Sequence, residues 1–159
     1  MTDRALTIGS TAPALTLADH DGRSVSLGDF LGSLVVLYFY PRDDTPGCTV
    51  EACEFTAGIE AFQQLDAVVL GCSPDTPTTH RTFIAKHGLR ITLLSDPETT
   101  VLRRFGAWGT KRMYGRENEG VIRSTVLIDP AGRVAFHWPK VKAAGHADEV
   151  REKLASLRG

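Results

Sequence analysis

No stretch of this 159-residue sequence is apolar over the roughly 18 residues that a membrane-crossing helix needs. The amino terminus, Met1-Thr2-Asp3-Arg4, lacks the basic-then-apolar order of an export signal, so the expected location is the cytoplasm. An excess of charge of either sign is also missing. Eighteen Lys and Arg stand against nineteen Asp and Glu, a net −1, which gives no electrostatic case for nucleic acid or an anionic membrane as partner. Cysteine is scarce, and its count of three is odd, which argues against a secreted disulfide framework and for thiols kept reduced between events. No pair of Cys or His lies two to four residues apart, and His20, His80, His87, His137 and His146 are scattered, so neither a metal nor another cofactor is expected. Repeats and low-complexity tracts are absent too. With 42% hydrophobic and 23% charged residues, the composition is that of one globular domain over residues 1–159.

What is present centres on the stretch from Leu34 to Cys53. Leu34 to Tyr40 is an unbroken apolar run that suits a strand buried on both faces of a sheet. It stops at Pro41. Thr45 then reads as a helix N-cap with Pro46 at the first helical position, where the missing N–H costs nothing. Cys48 falls in the first turn. Ala52, Phe55, Ile59 and Phe62 follow it at spacings of three and four, the stripe a helix buries, so the Cys48 sulfur should face the protein body.

A thiol in that position has a reason to be acidic. A free cysteine, with a pKa of about 8.5, is only a few per cent thiolate at neutral pH. A helix dipole contributes about 0.3–1 kcal/mol, less than one pKa unit, so a cation is needed as well. Arg42 is nearest in sequence, and a partner from a distant strand serves equally well. The bland alternative for Cys48 is a small buried hydrophobe, and for Cys53 simple packing on the helix stripe. Five residues apart on an ideal helix, the two cysteines have Cα atoms roughly 8–9 Å apart. A disulfide needs about 7 Å or less. If Cys48 and Cys53 pair, the first turns must unwind.

The remaining pattern alternates strands and helices. Leu15-Thr16-Leu17 and Val25-Ser26-Leu27 flank Asp21-Gly22 as an amino-terminal hairpin, and Asp29 to Gly32 forms a short turn. Ala67–Cys72 and Ile91–Leu94 are further strands, with a helix over Pro77–His87 between them and a helical piece over Thr99–Phe105. Strand, helix, strand implies parallel pairing. Gly106 to Gly120, with four glycines and mixed charge, is expected to be a long loop; Trp108 and Tyr114 either pin it to the core or, as the lesser alternative, one of them helps form a rim of the site. Val121–Ile128 and Val134–Trp138 flank Asp129-Pro130-Ala131-Gly132 as a second hairpin. His146–Leu157 closes the chain as a helix with Val150, Leu154 and Leu157 on one stripe. The fold class is α/β in three layers.

Pro41-x-x-x-Thr45-x-x-Cys48 resembles the peroxidatic motif of peroxiredoxins. Tyr38-Phe39-Tyr40-Pro41, Thr45-Pro46-Gly47-Cys48-Thr49 and Glu51 are similar to the bacterioferritin comigratory, or Q-type, subfamily. Gly120 to Asp129 resembles the strand bearing the family's active-site arginine, which lands on Arg123. The resemblance implies a thioredoxin-like fold, a mixed central sheet flanked by helices with an amino-terminal β-hairpin extension. It implies that Cys48 attacks a hydroperoxide and becomes a sulfenic acid, that Cys53 resolves it as an intramolecular disulfide, and that thioredoxin or a similar dithiol restores the thiols. Thr45 and Arg123 would hold thiolate and peroxide, Pro41 would shield the sulfur, and Glu51 would fix the arginine by a bidentate pair, the alternative for Glu51 being an ordinary solvated helix carboxylate. Members of the subfamily suggest a monomer. Cys72 is expected to be a core residue, with a minor role as another resolving thiol left open. A protein disulfide oxidoreductase or thiol carrier is the competing enzyme class. Against it, such proteins use C-x-x-C, whereas four residues separate Cys48 from Cys53 here. A redox-responsive binding protein, signalling by helix unwinding, is the non-enzymatic alternative.

Overall fold

A computed structural model describes residues 6–113 and 115–158. The first hairpin pairs β1 (Thr16–Asp19) with β2 (Ser24–Ser26), and a 3₁₀ turn (Leu27–Phe30) leads into β3 (Leu34–Phe39). α1 (Pro46–Ala57) and α2 (Ile59–Gln64) follow, then β4 (Ala67–Ser73), α3 (Pro77–His87), β5 (Thr92–Ser95) and α4 (Thr100–Arg104). A hairpin of β6 (Trp108–Met113) and β7 (Arg116–Val121) comes next. β8 (Ser124–Ile128), β9 (Val134–Trp138) and α5 (His146–Arg158) complete the order.

Seven strands form one mixed sheet in the order β2-β1-β5-β4-β3-β8-β9. β3 lies parallel to β4 and antiparallel to β8, with Tyr38 opposite Gly71 on one side and Thr125 on the other. Its six residues are all buried, as a two-sided strand requires, and the alternation of strand side chains divides them between two cores. Val36, Tyr38 and the following Tyr40 pack with Ala52, Phe55, Phe62, Phe83 and Leu154 beneath α1, α2, α3 and α5. Val35, Leu37 and Phe39 pack on the opposite face with Val101, Leu102 and Phe105 of the α4 region. The fully buried Phe55 ring, stacked 4.8 Å from Tyr38, contributes roughly 1.5–3 kcal/mol by burial alone.

Both hairpins of the main sheet close by one device. Oδ1 of Asp19 accepts from the amides of Asp21 and Arg23, and Oδ1 of Asp129 accepts from those of Ala131 and Arg133. Gly22 and Gly132, at φ of 79° and 84°, take the left-handed position that each turn demands.

Three expectations need correction. The segment from Gly106 to Gly120 is mostly a separate two-stranded sheet, not a loop, with Trp108 opposite Val121 and Met113 opposite Arg116. Arg116–Glu119 is exposed throughout, so no apolar alternation marks the strand, and Gly115 at φ 76° supplies the tight turn. The apolar stripe read as one helix is divided, because α1 ends at Gly58 and a second helix carries Ile59 and Phe62. Leu157, read as part of the closing helix's buried stripe, is exposed, while Val150 and Leu154 are fully buried. No helix among the described residues is long and apolar enough to cross a membrane.

Candidate active site

β3 ends at Phe39, the loop Tyr40–Thr45 follows, and α1 starts at Pro46 with its buried apolar residues packed in the first core. Thr45 has the extended backbone of an N-cap (φ −92°, ψ 157°), with Pro46 at the first helical position. Its hydroxyl does not cap the helix. It donates to the carbonyl of Arg42 at 2.9 Å, leaving the first-turn amides of α1 without a side-chain acceptor. Cys48, third in the helix, is 1% exposed and packs in the first core, as the stripe predicts.

The cation comes from far along the chain. Arg123 lies between β7 and β8, outside either strand, so the expectation of a strand position is corrected. Its backbone carbonyl accepts from the amide of Val141, and the preceding Ile122 amide donates to Ala107. From there Nη2 donates to the Cys48 sulfur at 3.2 Å, and Nη1 donates to Oε1 of Glu51 at 2.5 Å. Glu51 is one turn after Cys48 and fully buried, which rules out a solvated helix carboxylate. Arg42, the nearer cation in sequence, is exposed. One guanidinium thus joins the thiol and the carboxyl presented by the same helix face. The contact with Glu51 uses one nitrogen and one oxygen, so the expected bidentate pair is not formed; among the described residues Oε2 of Glu51 has no hydrogen-bond partner.

The electrostatics follow from that burial. Desolvation raises the Glu51 carboxyl from an ordinary 4.5 to about 7, against the opposing pull of the guanidinium. For Arg123 burial works against the charge, but Glu51 and the Cys48 sulfur outweigh it and hold the pKa above its ordinary value. Lys111, on β6, is a second cation here that the sequence reading missed; burial lowers its pKa and Arg123 adds to the lowering, while Cys48 opposes it. Its signal was hidden in the segment read as a loop.

Cys53 is half-buried against the first core, and α1 runs unbroken through both cysteines, which are free thiols. They are not paired while the helix is intact. Cys72 packs in the other core, across the sheet from Cys48, and burial raises its pKa well above the ordinary thiol range. The sheet therefore stands between it and Cys48. Pro41 is half-buried in the loop over β3. Trp108 packs on the second core with Arg103 over its ring at 4.7 Å and so pins the hairpin to that core; Tyr114 lies outside the described residues.

A buried charge cluster beside this loop was also missed. Asp43, Tyr40 and His80 bond to one another, as described below, and His80 was visible only as a residue three positions before Phe83 on the buried side of α3.

The model of the AhpC/TSA family matches residues 8–137. Peroxiredoxin Bcp of Bacillus subtilis is 45% identical over 150 residues, covering 94% of this chain and 96% of the relative. A Xanthomonas campestris bacterioferritin comigratory protein, solved as a trapped intermediate and ligand complex and described for alkyl peroxide reduction, superposes with a TM-score of 0.89 at 38% identity, covering 96% of this chain and all of the other. A PrxQ mutant of Xylella fastidiosa gives 0.91 at 36% identity, covering 98% and 99%. With a thioredoxin-like peroxiredoxin architecture and relatives matched almost end to end, the chain belongs to the AhpC/TSA family and, within it, to the peroxiredoxins.

Proposed function

We propose that the protein is a thiol peroxidase that reduces hydrogen peroxide and organic hydroperoxides, with Cys48 as the nucleophile. The observation that carries this reading is the Arg123 guanidinium, which donates to the Cys48 sulfur at 3.2 Å while its other nitrogen is held by Glu51. A guanidinium so placed favours negative charge on sulfur and can donate to a peroxide oxygen lying against it.

The thiolate attacks the terminal oxygen of the hydroperoxide. An S–O bond forms, the O–O bond breaks, and the departing oxygen takes up a proton to leave as water or an alcohol. Cys48 is then a sulfenic acid. The Thr45 hydroxyl, turned from the Arg42 carbonyl, serves as a donor to the peroxide, and Pro41 limits access of water to the sulfur. Orientation of this kind supplies much of the acceleration. Cys53 attacks the sulfenic acid, forming the Cys48–Cys53 disulfide and releasing water. Because both cysteines sit on one unbroken helix, this step requires the start of α1 to unwind. An external dithiol of the thioredoxin kind reduces the disulfide through a mixed disulfide and leaves oxidised itself. The chain acts as a monomer in the cytoplasm, as a single domain.

The test is peroxide consumption with a dithiol present. The parent consumes hydrogen peroxide and an alkyl hydroperoxide, and Cys48→Ser does not; a Cys48→Ser variant as fast as the parent overturns the assignment. Mass spectrometry after one equivalent of peroxide should find Cys48 linked to Cys53 and Cys72 unmodified.

A further inference from the structure

The loop that carries Pro41 and Thr45 is fastened by groups that take no part in the chemistry above. The Asp43 carboxylate turns inward beneath the loop. Oδ1 accepts from the Tyr40 hydroxyl at 2.5 Å, and Oδ2 lies 2.6 Å from Nδ1 of His80 on α3. The backbone amide of Asp43 donates to Asp75 Oδ2, which Ser73 at the end of β4 also holds. His80 is completely buried, with Nε2 2.9 Å from the carbonyl of Leu94 on β5. That carbonyl only accepts, so Nε2 carries a proton, and the short Nδ1–Oδ2 contact holds one more between histidine and aspartate. On the outer side, Asp44 receives Lys86 at 2.6 Å and His87 at 2.8 Å from the end of the same helix. None of these contacts involves α1.

Asp43, Asp75 and His80 place three ligand-type atoms within 4.8 Å of one another. They are nonetheless satisfied by one another and by the backbone. A direct hydrogen bond of 2.6 Å between Nδ1 and Oδ2 leaves no room for an ion between them. The cluster is a clasp, not a metal site.

We infer that His80 is a positioning residue for peroxide reduction: through its bond to Asp43 it fixes the Tyr40–Thr45 loop, which runs into α1 at Thr45, to α3 and β5, and so sets where Pro41 and Thr45 stand relative to the Cys48 sulfur. The inference rests on Cys48 as the peroxide-reducing thiol. Arg123, which reaches the sulfur from the β7–β8 connection, is outside the clasp. Loss of the clasp therefore slows the peroxide step while leaving the sulfur as reactive as before toward a reagent that needs no loop. Displacement of a positioning group by about 1 Å costs up to about a hundredfold in rate.

The experiment compares His80→Leu with His80→Asn, whose side-chain amide keeps a donor toward Asp43, and measures the second-order rate with hydrogen peroxide alongside Cys48 alkylation by iodoacetamide. His80→Leu is expected to lose between about tenfold and a hundredfold in peroxide rate with alkylation unchanged, and His80→Asn to recover most of that loss. Parent-like peroxide rates in His80→Leu overturn the inference. So do equal losses in the two variants, or alkylation falling in step with peroxide reduction. If His80→Leu does not fold, Asp43→Ala against Asp43→Asn asks the same question from the loop side, since an asparagine can donate to Nδ1 and accept from Tyr40. A parent protein that consumes no peroxide would instead remove the reading of Cys48, which separates the two failures.

Discussion

Replacing Glu51 by glutamine removes a titrating group while keeping an oxygen that accepts from Arg123. Glu51 is fully buried, and desolvation places its carboxyl near 7 rather than 4.5. Between those values the folded protein holds a proton that the unfolded chain has released. For an acid whose pKa is raised on folding, the stabilising contribution is complete below the unfolded value and is lost as pH rises through the folded one. The shift of about 2.5 units (7 − 4.5), at about 1.36 kcal/mol each, bounds the effect at roughly 3 kcal/mol. Raising the pH from about 5 to about 8 should therefore cost the parent about 2–3 kcal/mol on account of Glu51, and the glutamine variant none of it. Urea denaturation of the reduced parent and variant at the two pH values isolates this difference, because every other titrating group is common to both proteins. The parent should lose about 2–3 kcal/mol more than Glu51→Gln between them. Equal losses would refute the reasoning and mean that Arg123 keeps the carboxylate ionised throughout.

Three further outcomes follow from the same structure. A Cβ at Gly47 would lie 3.2 Å from Nη2 of Arg123, so Gly47→Ala should slow peroxide reduction while leaving thermal stability unchanged or slightly higher, since alanine favours a helix by about 0.5–1 kcal/mol over glycine; an unaltered rate would show that the guanidinium tolerates the shift. A Cβ at Gly71 would meet Leu93 and the Tyr38 ring at 2.8 Å, so Gly71→Ala should lower stability by about 1–3 kcal/mol in denaturant titration, and no loss would mean that the Tyr38 ring moves freely. In the Cys48–Cys53 disulfide form, amide exchange should quicken across the first turns of α1 relative to the reduced form, and equal protection would contradict the helix geometry.

The central elements could be read from the sequence because burial leaves a pattern. Leu34 to Tyr40 is apolar on both sides of the pleat, Thr45-Pro46 marks a helix start, and Ala52, Phe55, Ile59 and Phe62 keep one face even across the break at Gly58. The β6–β7 hairpin left no such pattern, since its solvated residues alternate nothing apolar. Within the site, Cys48 and its helix position were legible from local spacing. The Arg123–Cys48 contact spans 75 residues and rested on family likeness alone, because a lone arginine carries no sign of what it meets. His80 and Asp43 are 37 residues apart, and one polar residue on a helix's inner side gives no address for its partner.

Gly58 divides the cysteine-bearing helix of 12 residues from the short helix that keeps Ile59 and Phe62 docked on the sheet. Melting that begins at Thr45 meets a seam there, and the segment beyond can stay seated. If Cys53 resolves Cys48 as proposed, each turnover disorders one small piece of the molecule and reassembles it on a surface that never came apart.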